Sequence, residues 1–177
     1  MNAALRPILE LLAVIPGLLL AYFPVKSYLK QSPGQLAARL LPLMVGACVG
    51  GGLLCLHFQC PTEAAQVVLA LAAALVYIKT LRISRWKSGT IALSVCAVFA
   101  CINSISRAVS AALLIYARAP WLEPWLCLSA GIFYNTACWL FTAAAYYPST
   151  HAVRTMVEDE HFAQTWYVFW LLPLIFI

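Results

Sequence analysis

The most unusual residue of the sequence is Arg107, a cation inside a long apolar block. Asn103 lies four residues before it and Ser110 three residues after it, so the three side chains share one face of a helix. A charged side chain within a membrane usually faces the bundle interior or a wet cavity, so this face predicts a polar pocket for a ligand or anion. The alternative is that Arg107 lies near the end of its span and extends its side chain to the membrane surface.

Two further polar residues within apolar blocks are candidates for the same region. Glu10 is the acidic residue of the first block, and it predicts an ion pair with Arg107 if both lie in the outer half of the bundle. The alternative for Glu10 is an interfacial carboxylate in a frayed first turn. For Asn135, in the fifth block, we expect either a hydrogen bond to a neighbouring helix or a ligand contact beside Asn103, Arg107 and Ser110.

The remaining reactive side chains form no catalytic set. His151 and His161 lie in a charged stretch without a partner motif, and the seven cysteines form no CxxC pair and no Cys/His ligand spacing. No glycine-rich phosphate loop, HExxH or GxSxG motif is present. We therefore predict no catalytic residue, no metal site and no cofactor in this segment.

Composition indicates which elements position these residues. The chain has 64% hydrophobic and 10% charged residues, against about 25% charged in an ordinary globular protein. The apolar residues form long continuous blocks, as helices surrounded by lipid require. The fold class predicted is therefore all-α, a polytopic transmembrane helix bundle. The net charge of +5 comes from basic residues between the blocks, where they set topology, so a nucleic-acid partner is not expected.

The apolar blocks predict five complete spans and a sixth that is truncated at residue 177. The complete spans are expected at about residues 5–23, 40–58, 64–78, 90–116 and 125–147. We treat residues 1–177 as a single transmembrane domain. Residues 24–38 form a polar connection and residues 151–161 a polar loop. Placing these two stretches and residues 79–87 in the cytoplasm, with Arg39 directly after the first of them, puts eight basic residues inside and two outside, which predicts a plasma-membrane protein with its N-terminus outside.

The second block carries a run of small residues at its centre. Gly46 and Gly50 are four residues apart, and Gly51 follows directly. Small residues at this spacing allow two helices to approach closely in lipid. They predict a helix-packing surface, within the chain or between the two subunits of a homodimer.

Several stretches together resemble one family. They are residues 6–7 with 16–17, 85–88 (RWKS), 96–107 (CAVFACINSISR), 134–140 (YNTACWL), 147–151 (YPSTH) and 164–177 (QTWYVFWLLPLIFI). The chain resembles the N-terminal membrane region of GHKL-type sensor histidine kinases of Gram-positive gut bacteria, relatives of the Agr-type quorum-sensing receptors. The resemblance implies that this segment is the sensor portion. The histidine-bearing helix, the ATP and Mg²⁺ site and the contact with a response regulator would lie in kinase domains outside it.

Three functions remain as hypotheses. The first is the input domain of a two-component sensor kinase. Such a domain detects an extracellular ligand, for example a peptide, and transmits the signal by helix rearrangement. The alternative is a small polytopic transporter or channel subunit, for which paired broken helices in repeated halves would be diagnostic. The third is a membrane-embedded peptidase, which would need a Cys/His or paired-carboxylate set within the membrane.

Overall fold

The computed structural model describes residues 2–117 and 123–159 of the chain. This part of the chain is all-helical and contains no strand, as the sequence predicts. Its one β-type contact is an isolated antiparallel bridge between Leu29 and Leu81, which joins two interhelical connections. The predicted sixth span, beginning near residue 165, lies outside the described residues.

The first predicted span is two helices, α1 (Asn2–Leu12) and α2 (Val14–Tyr22). The break falls at Ala13 because Pro16 has no N–H to donate to the carbonyl of Leu12, four residues earlier. The Gly17 amide does donate to the Ala13 carbonyl, at a long 3.5 Å. The chain therefore bends in mid-span, next to the carboxylate of Glu10.

α3 (Pro33–Phe58) begins earlier than the apolar block indicates, so the interpretation of residues 33–38 as part of a polar connection was wrong. Ser32 and Pro33 form a pair that is typical of turns, but here they begin a helix. The Ser32 hydroxyl accepts a hydrogen bond from the Gln35 amide at 3.4 Å, and Pro33 occupies a first-turn position where no amide donor is needed. A short turn containing Gln59, with a left-handed φ of 52°, then leads to α4 (Thr62–Thr80).

α5 (Arg85–Ala117) is the longest described helix, with 33 residues, and α6 is Glu123–Ala144. After α6 come α7 (Tyr146–Pro148), a π-type turn (Ser149–Val153) and α8 (Arg154–Glu158). The prediction of a polar loop over 151–161 was therefore wrong as far as residue 158. The Thr155 hydroxyl bonds to the His151 carbonyl, and Arg154 pairs with Glu158 at 2.8 Å one turn later, so local contacts favour helix here.

Four helical segments are long and apolar enough to cross a membrane: Leu5–Tyr22, Pro33–Phe58, Thr62–Thr80 and Arg85–Leu113. They correspond to the first four predicted spans. α6 covers the predicted fifth span as far as Ala144 and has 22 residues, but it is not among these four. The split first span is central, because half of its residues are buried, whereas only 11% of the α4 segment is buried.

The small residues of α3 divide between two surfaces. A Cβ atom added to Gly52 would lie 2.6 Å from a side-chain carbon of Ile8 and 3.1 Å from its backbone nitrogen, so α1 crosses α3 closely at this glycine. A Cβ atom added to Gly51 would lie 3.3 Å from a side-chain carbon of Leu11, so Gly51 also faces α1. No atom lies within 4 Å of a Cβ placed on Gly46 or Gly50, so among the described residues that pair is not used in packing.

Candidate functional site

The charged residues of the described helices gather at two opposite ends. At one end, Thr62 at the start of α4 contacts Glu10 of α1. At the other end, the Lys30 backbone amide donates to the Thr80 carbonyl, and the Lys30 ammonium donates to the Lys79 carbonyl at 2.6 Å. We call this second end the basic end, because it carries Lys26, Lys30, Lys79, Arg82, Arg85 and Lys87.

Glu10 is the centre of a polar cluster at the first end. Its side chain is only 7% exposed, yet both carboxylate oxygens have donors. Oε1 accepts from the Arg6 Nε at 3.0 Å, one turn earlier in α1. Oε2 accepts from the Thr62 hydroxyl at 2.6 Å and from an Arg107 guanidinium nitrogen at 3.5 Å. The carboxylate therefore joins three helices, α1, α4 and α5.

Arg107 brings a second carboxylate and an amide into the same cluster. Its Nη1 pairs with Glu63 of α4, and its Nε donates to the Asn103 side-chain oxygen at 3.3 Å. All three guanidinium nitrogens thus have acceptors within the protein. The side chain is 36% exposed and Glu63 is 49% exposed, so this half of the cluster is accessible whereas Glu10 is enclosed. We call Arg6, Glu10, Thr62, Glu63, Asn103 and Arg107 the Glu10 cluster.

The Glu10 cluster is electrically balanced. Two arginines and two glutamates give a formal charge of 2 − 2 = 0. A buried ionic group costs several kcal/mol of desolvation unless it is paired and hydrogen-bonded, and the two arginines and the Thr62 hydroxyl supply these partners to the Glu10 side chain. The arrangement holds helices together and contains a partly exposed pair that an added charged group can reach.

A set of interhelical hydrogen bonds lies beside the cluster. The Asn135 amide donates to the Leu9 carbonyl at 2.9 Å, which ties α6 to α1. The Gln66 amide donates to the Tyr134 hydroxyl at 2.8 Å, which ties α4 to α6. Bonds of this kind contribute on the order of 1 kcal/mol each in lipid. They fix α6 against the same helices that the ion pairs connect.

The structure brings together some of the residues that the sequence singled out and separates others. Glu10, Arg107 and Asn103 lie in one cluster. Ser110 shares their helix face, but its hydroxyl donates to the Ser106 carbonyl of its own helix, at 2.8 Å. Asn135 bonds to the α1 backbone at Leu9, one residue before Glu10. The polar atoms of the predicted pocket therefore bond within the protein, and whether a ligand displaces any of them stays a prediction.

Sequence reasoning missed three members of the cluster. Arg6 precedes Glu10 by four residues, which is the spacing of an ion pair on one helix face. Thr62 and Glu63 follow Pro61 at a break between two apolar blocks, so the sequence alone indicates only residues near a helix start. The α4 N-cap makes no side-chain hydrogen bond, and Thr62 donates to Glu10 instead. The available signal was topology, because the predicted membrane orientation places the turn before α4 at the same end as Arg107.

Metal binding has no candidate in the described part of the chain. Within residues 2–117 and 123–159, no three His, Cys, Asp or Glu side chains lie close enough to hold a metal ion. The buried Cys48 thiol donates to the Leu11 carbonyl at 3.3 Å, which is a packing contact between α3 and α1. Cys48 therefore contributes to the packing of α3 against α1.

No protein-family model matches the chain, and neither a curated protein nor a solved structure matches it. Within the described part of the chain, the Glu10 cluster combines charge, burial and partial access.

Proposed function

We propose that residues 1–177 are the membrane-embedded input region of a two-component sensor histidine kinase. The observation that carries this proposal is the Glu10 cluster, which joins three helices through charged groups that are partly exposed at one end. The basic end lies opposite, and the positive-inside rule favours its placement in the cytoplasm. The cluster then faces outward with the N-terminus, on the side where an extracellular signal arrives at the plasma membrane.

The proposed topology keeps the six predicted crossings. Four are the candidate spans, the fifth is α6, and the sixth is the apolar block that begins near residue 165. Support for counting α6 comes from its contacts, since Thr142 and Asn135 both bond to backbone carbonyls of the first span. α6 therefore runs alongside a helix that is itself long and apolar enough to cross.

In the proposed mechanism, the signal competes for the accessible pair between Arg107 and Glu63. An anionic group on the ligand would take Glu63's place on the guanidinium, and a cationic group would take Arg107's place on the carboxylate. Either exchange weakens the connection between α4 and α5. Asn103 would move with Arg107, because the two side chains are hydrogen-bonded on one helix face.

α5 gives this local change a route to the opposite end. It is continuous for 33 residues, from Arg85 at the basic end to beyond Arg107. At its start, the Lys87 ammonium donates to the Val157 carbonyl of α8 at 2.7 Å. A shift of α5 would thus act on α8, after which the chain continues toward the proposed sixth span. For such a shift to change the activity of the kinase domains, the helices must have two discrete arrangements.

The proposed assembly is a homodimer that signals to a response regulator. The open pair Gly46 and Gly50 on α3 supports an interface between copies, because small residues four apart allow close helix contact in lipid. ATP and Mg²⁺ would bind in the kinase domains, which the resemblance places outside this segment. The extracellular ligand belongs to the same proposal, and peptides are the class that the resemblance implies.

The first test is to read the gene beyond the codon for Ile177. We expect a further apolar block, a helix with a phosphorylatable histidine and an ATP-binding domain. A stop codon directly after Ile177 would contradict the sensor-kinase proposal and favour a transporter or an accessory membrane subunit.

The second test is a signalling assay in the native host, with conditioned culture medium as the stimulus and a reporter for the regulated promoter. Arg107→Leu should insert normally in the membrane and lose the response. Ser104→Ala is the matched control on α5, because its hydroxyl donates to the Ala100 carbonyl of its own helix and it belongs to neither the Glu10 cluster nor the predicted pocket. A normal response from Arg107→Leu would refute the role given to the Glu10 cluster.

A transporter or channel subunit is the second candidate, and one observation favours it. The first span is broken at Ala13, three residues after a buried carboxylate, and broken helices beside ionisable residues are typical of transporters. Against it, α4 and α5 are continuous, so these described helices supply no matching break. The test is to reconstitute the protein in proteoliposomes and to measure acidification of their lumen under a pH gradient. Acidification that requires an intact Glu10 would favour this candidate over the sensor.

A further inference from the structure

A groove at the basic end is separate from the Glu10 cluster. It has a volume of about 270 Å³ and lies between α2, the first turns of α3 and the segment after α6. Its walls are mostly apolar, with Leu19 on α2, Leu36 and Leu40 on α3, and Tyr146 on α7 among them. The groove is not in contact with any residue of the Glu10 cluster, so it requires an explanation of its own.

The groove has the length of one lipid chain in one leaflet. Its wall on α3 runs from Pro33 to Met44, about 16 Å at 1.5 Å per residue. Half of a typical hydrocarbon core is about 15 Å. At the deep end, Ile15 and Met44 belong to a buried apolar cluster with Ala73, so the groove ends on the core of the bundle.

The mouth of the groove carries a cation. Lys26 lines it, is exposed, and makes no hydrogen bond or ion pair with any described residue. The nearby Lys30 differs, because its ammonium is already held by the Lys79 carbonyl. None of the described residues that line the groove is acidic. The charge of Lys26 at this end of an apolar groove is complementary to an anionic headgroup.

We propose that the groove binds one anionic phospholipid, with an acyl chain along α2 and α3 and its phosphate at Lys26. The bilayer supplies this occupant, since both helices that form the groove belong to candidate membrane spans. The site does not depend on the proposed signalling role, and it would stand equally in a transporter. Through Lys26, the bound lipid would contact the connection between α2 and α3.

The test uses the full chain purified in mild detergent, with native mass spectrometry and added phosphatidylglycerol or phosphatidylcholine as probes. We expect one phosphatidylglycerol to be retained, and Lys26→Ala to weaken its retention about fivefold. Ala37→Trp, which fills the groove from α3, should abolish retention. Arg82→Ala is the matched control, because this exposed basic residue of the same end does not line the groove.

Three outcomes would overturn the proposal. Equal losses in Lys26→Ala and Arg82→Ala would mean general attraction to a basic surface. Equal retention of both lipids would remove the role of the headgroup. Undiminished binding in Ala37→Trp, with circular dichroism and elution volume unchanged, would show that the lipid lies elsewhere. If Ala37→Trp fails to fold, Lys26→Ala against Arg82→Ala still decides the question.

Discussion

Replacing Glu10 with glutamine removes the charge of a carboxylate that is only 7% exposed while keeping the size of the side chain. This carboxylate accepts hydrogen bonds from Arg6 at 3.0 Å, from Thr62 at 2.6 Å and from Arg107 at 3.5 Å. In the variant, one oxygen becomes an amide nitrogen and two arginines lose a counter-ion. Glu63→Gln is the matched control, since it removes the same charge from the exposed side of the same cluster.

The expected destabilisation follows from these contacts. A hydrogen bond to a charged group contributes about 1.5–3 kcal/mol. Because both arginines are more than a third exposed and glutamine keeps one acceptor, we expect a loss close to one such bond, about 2 kcal/mol. The Glu63 pair is exposed to solvent, so its loss should cost about 0–1 kcal/mol.

The assay is thermal unfolding of each purified variant in one detergent, followed by circular dichroism. For a chain of this size, about 2 kcal/mol corresponds to a fall in Tm of about 4–8 °C. We expect that fall for Glu10→Gln and a smaller one for Glu63→Gln. A double-mutant cycle with Arg107→Gln should give a coupling energy above about 0.5 kcal/mol for Glu10.

Equal Tm values for the two glutamine variants would refute the reasoning, because burial would then make no difference between the two carboxylates. A zero coupling energy between Glu10 and Arg107 would also refute it. It would mean that the contact between them does not form in the folded protein.

Two further predictions concern packing and a buried hydroxyl. Gly52→Ala should destabilise the protein by about 1–3 kcal/mol, because its Cβ would meet Ile8. Gly50→Ala should not destabilise the monomer, because its Cβ would meet no described atom of the chain. Equal losses of stability in thermal unfolding would contradict the close helix crossing. Tyr77→Phe should lower the free energy of unfolding by about 1 kcal/mol, because the fully buried Tyr77 hydroxyl donates to a backbone carbonyl of α2 at 3.0 Å. Tyr147→Phe, at an exposed site, should leave that free energy unchanged in the same thermal unfolding assay.

The helices themselves could be predicted from the sequence, although their ends could not. Apolar blocks locate helices in lipid because a chain there must satisfy its backbone hydrogen bonds internally. The ends of α3 and α8 depend on local contacts instead. The cap at Ser32 and the pair of Arg154 with Glu158 extend helix into stretches that hydropathy assigns to connections.

The sequence by itself determined that Asn103 and Arg107 share a face, because spacing fixes neighbours within one helix. It also determined that most of the basic residues gather at one end, because successive spans alternate in direction. Only the tertiary structure decided that Thr62 and Glu63 meet Glu10 and Arg107, and that Gly52 rather than Gly46 or Gly50 lies against α1. The physical reason is rotation: a helix in lipid can turn about its axis without changing its hydropathy, so its contacts are set by packing against the other helices.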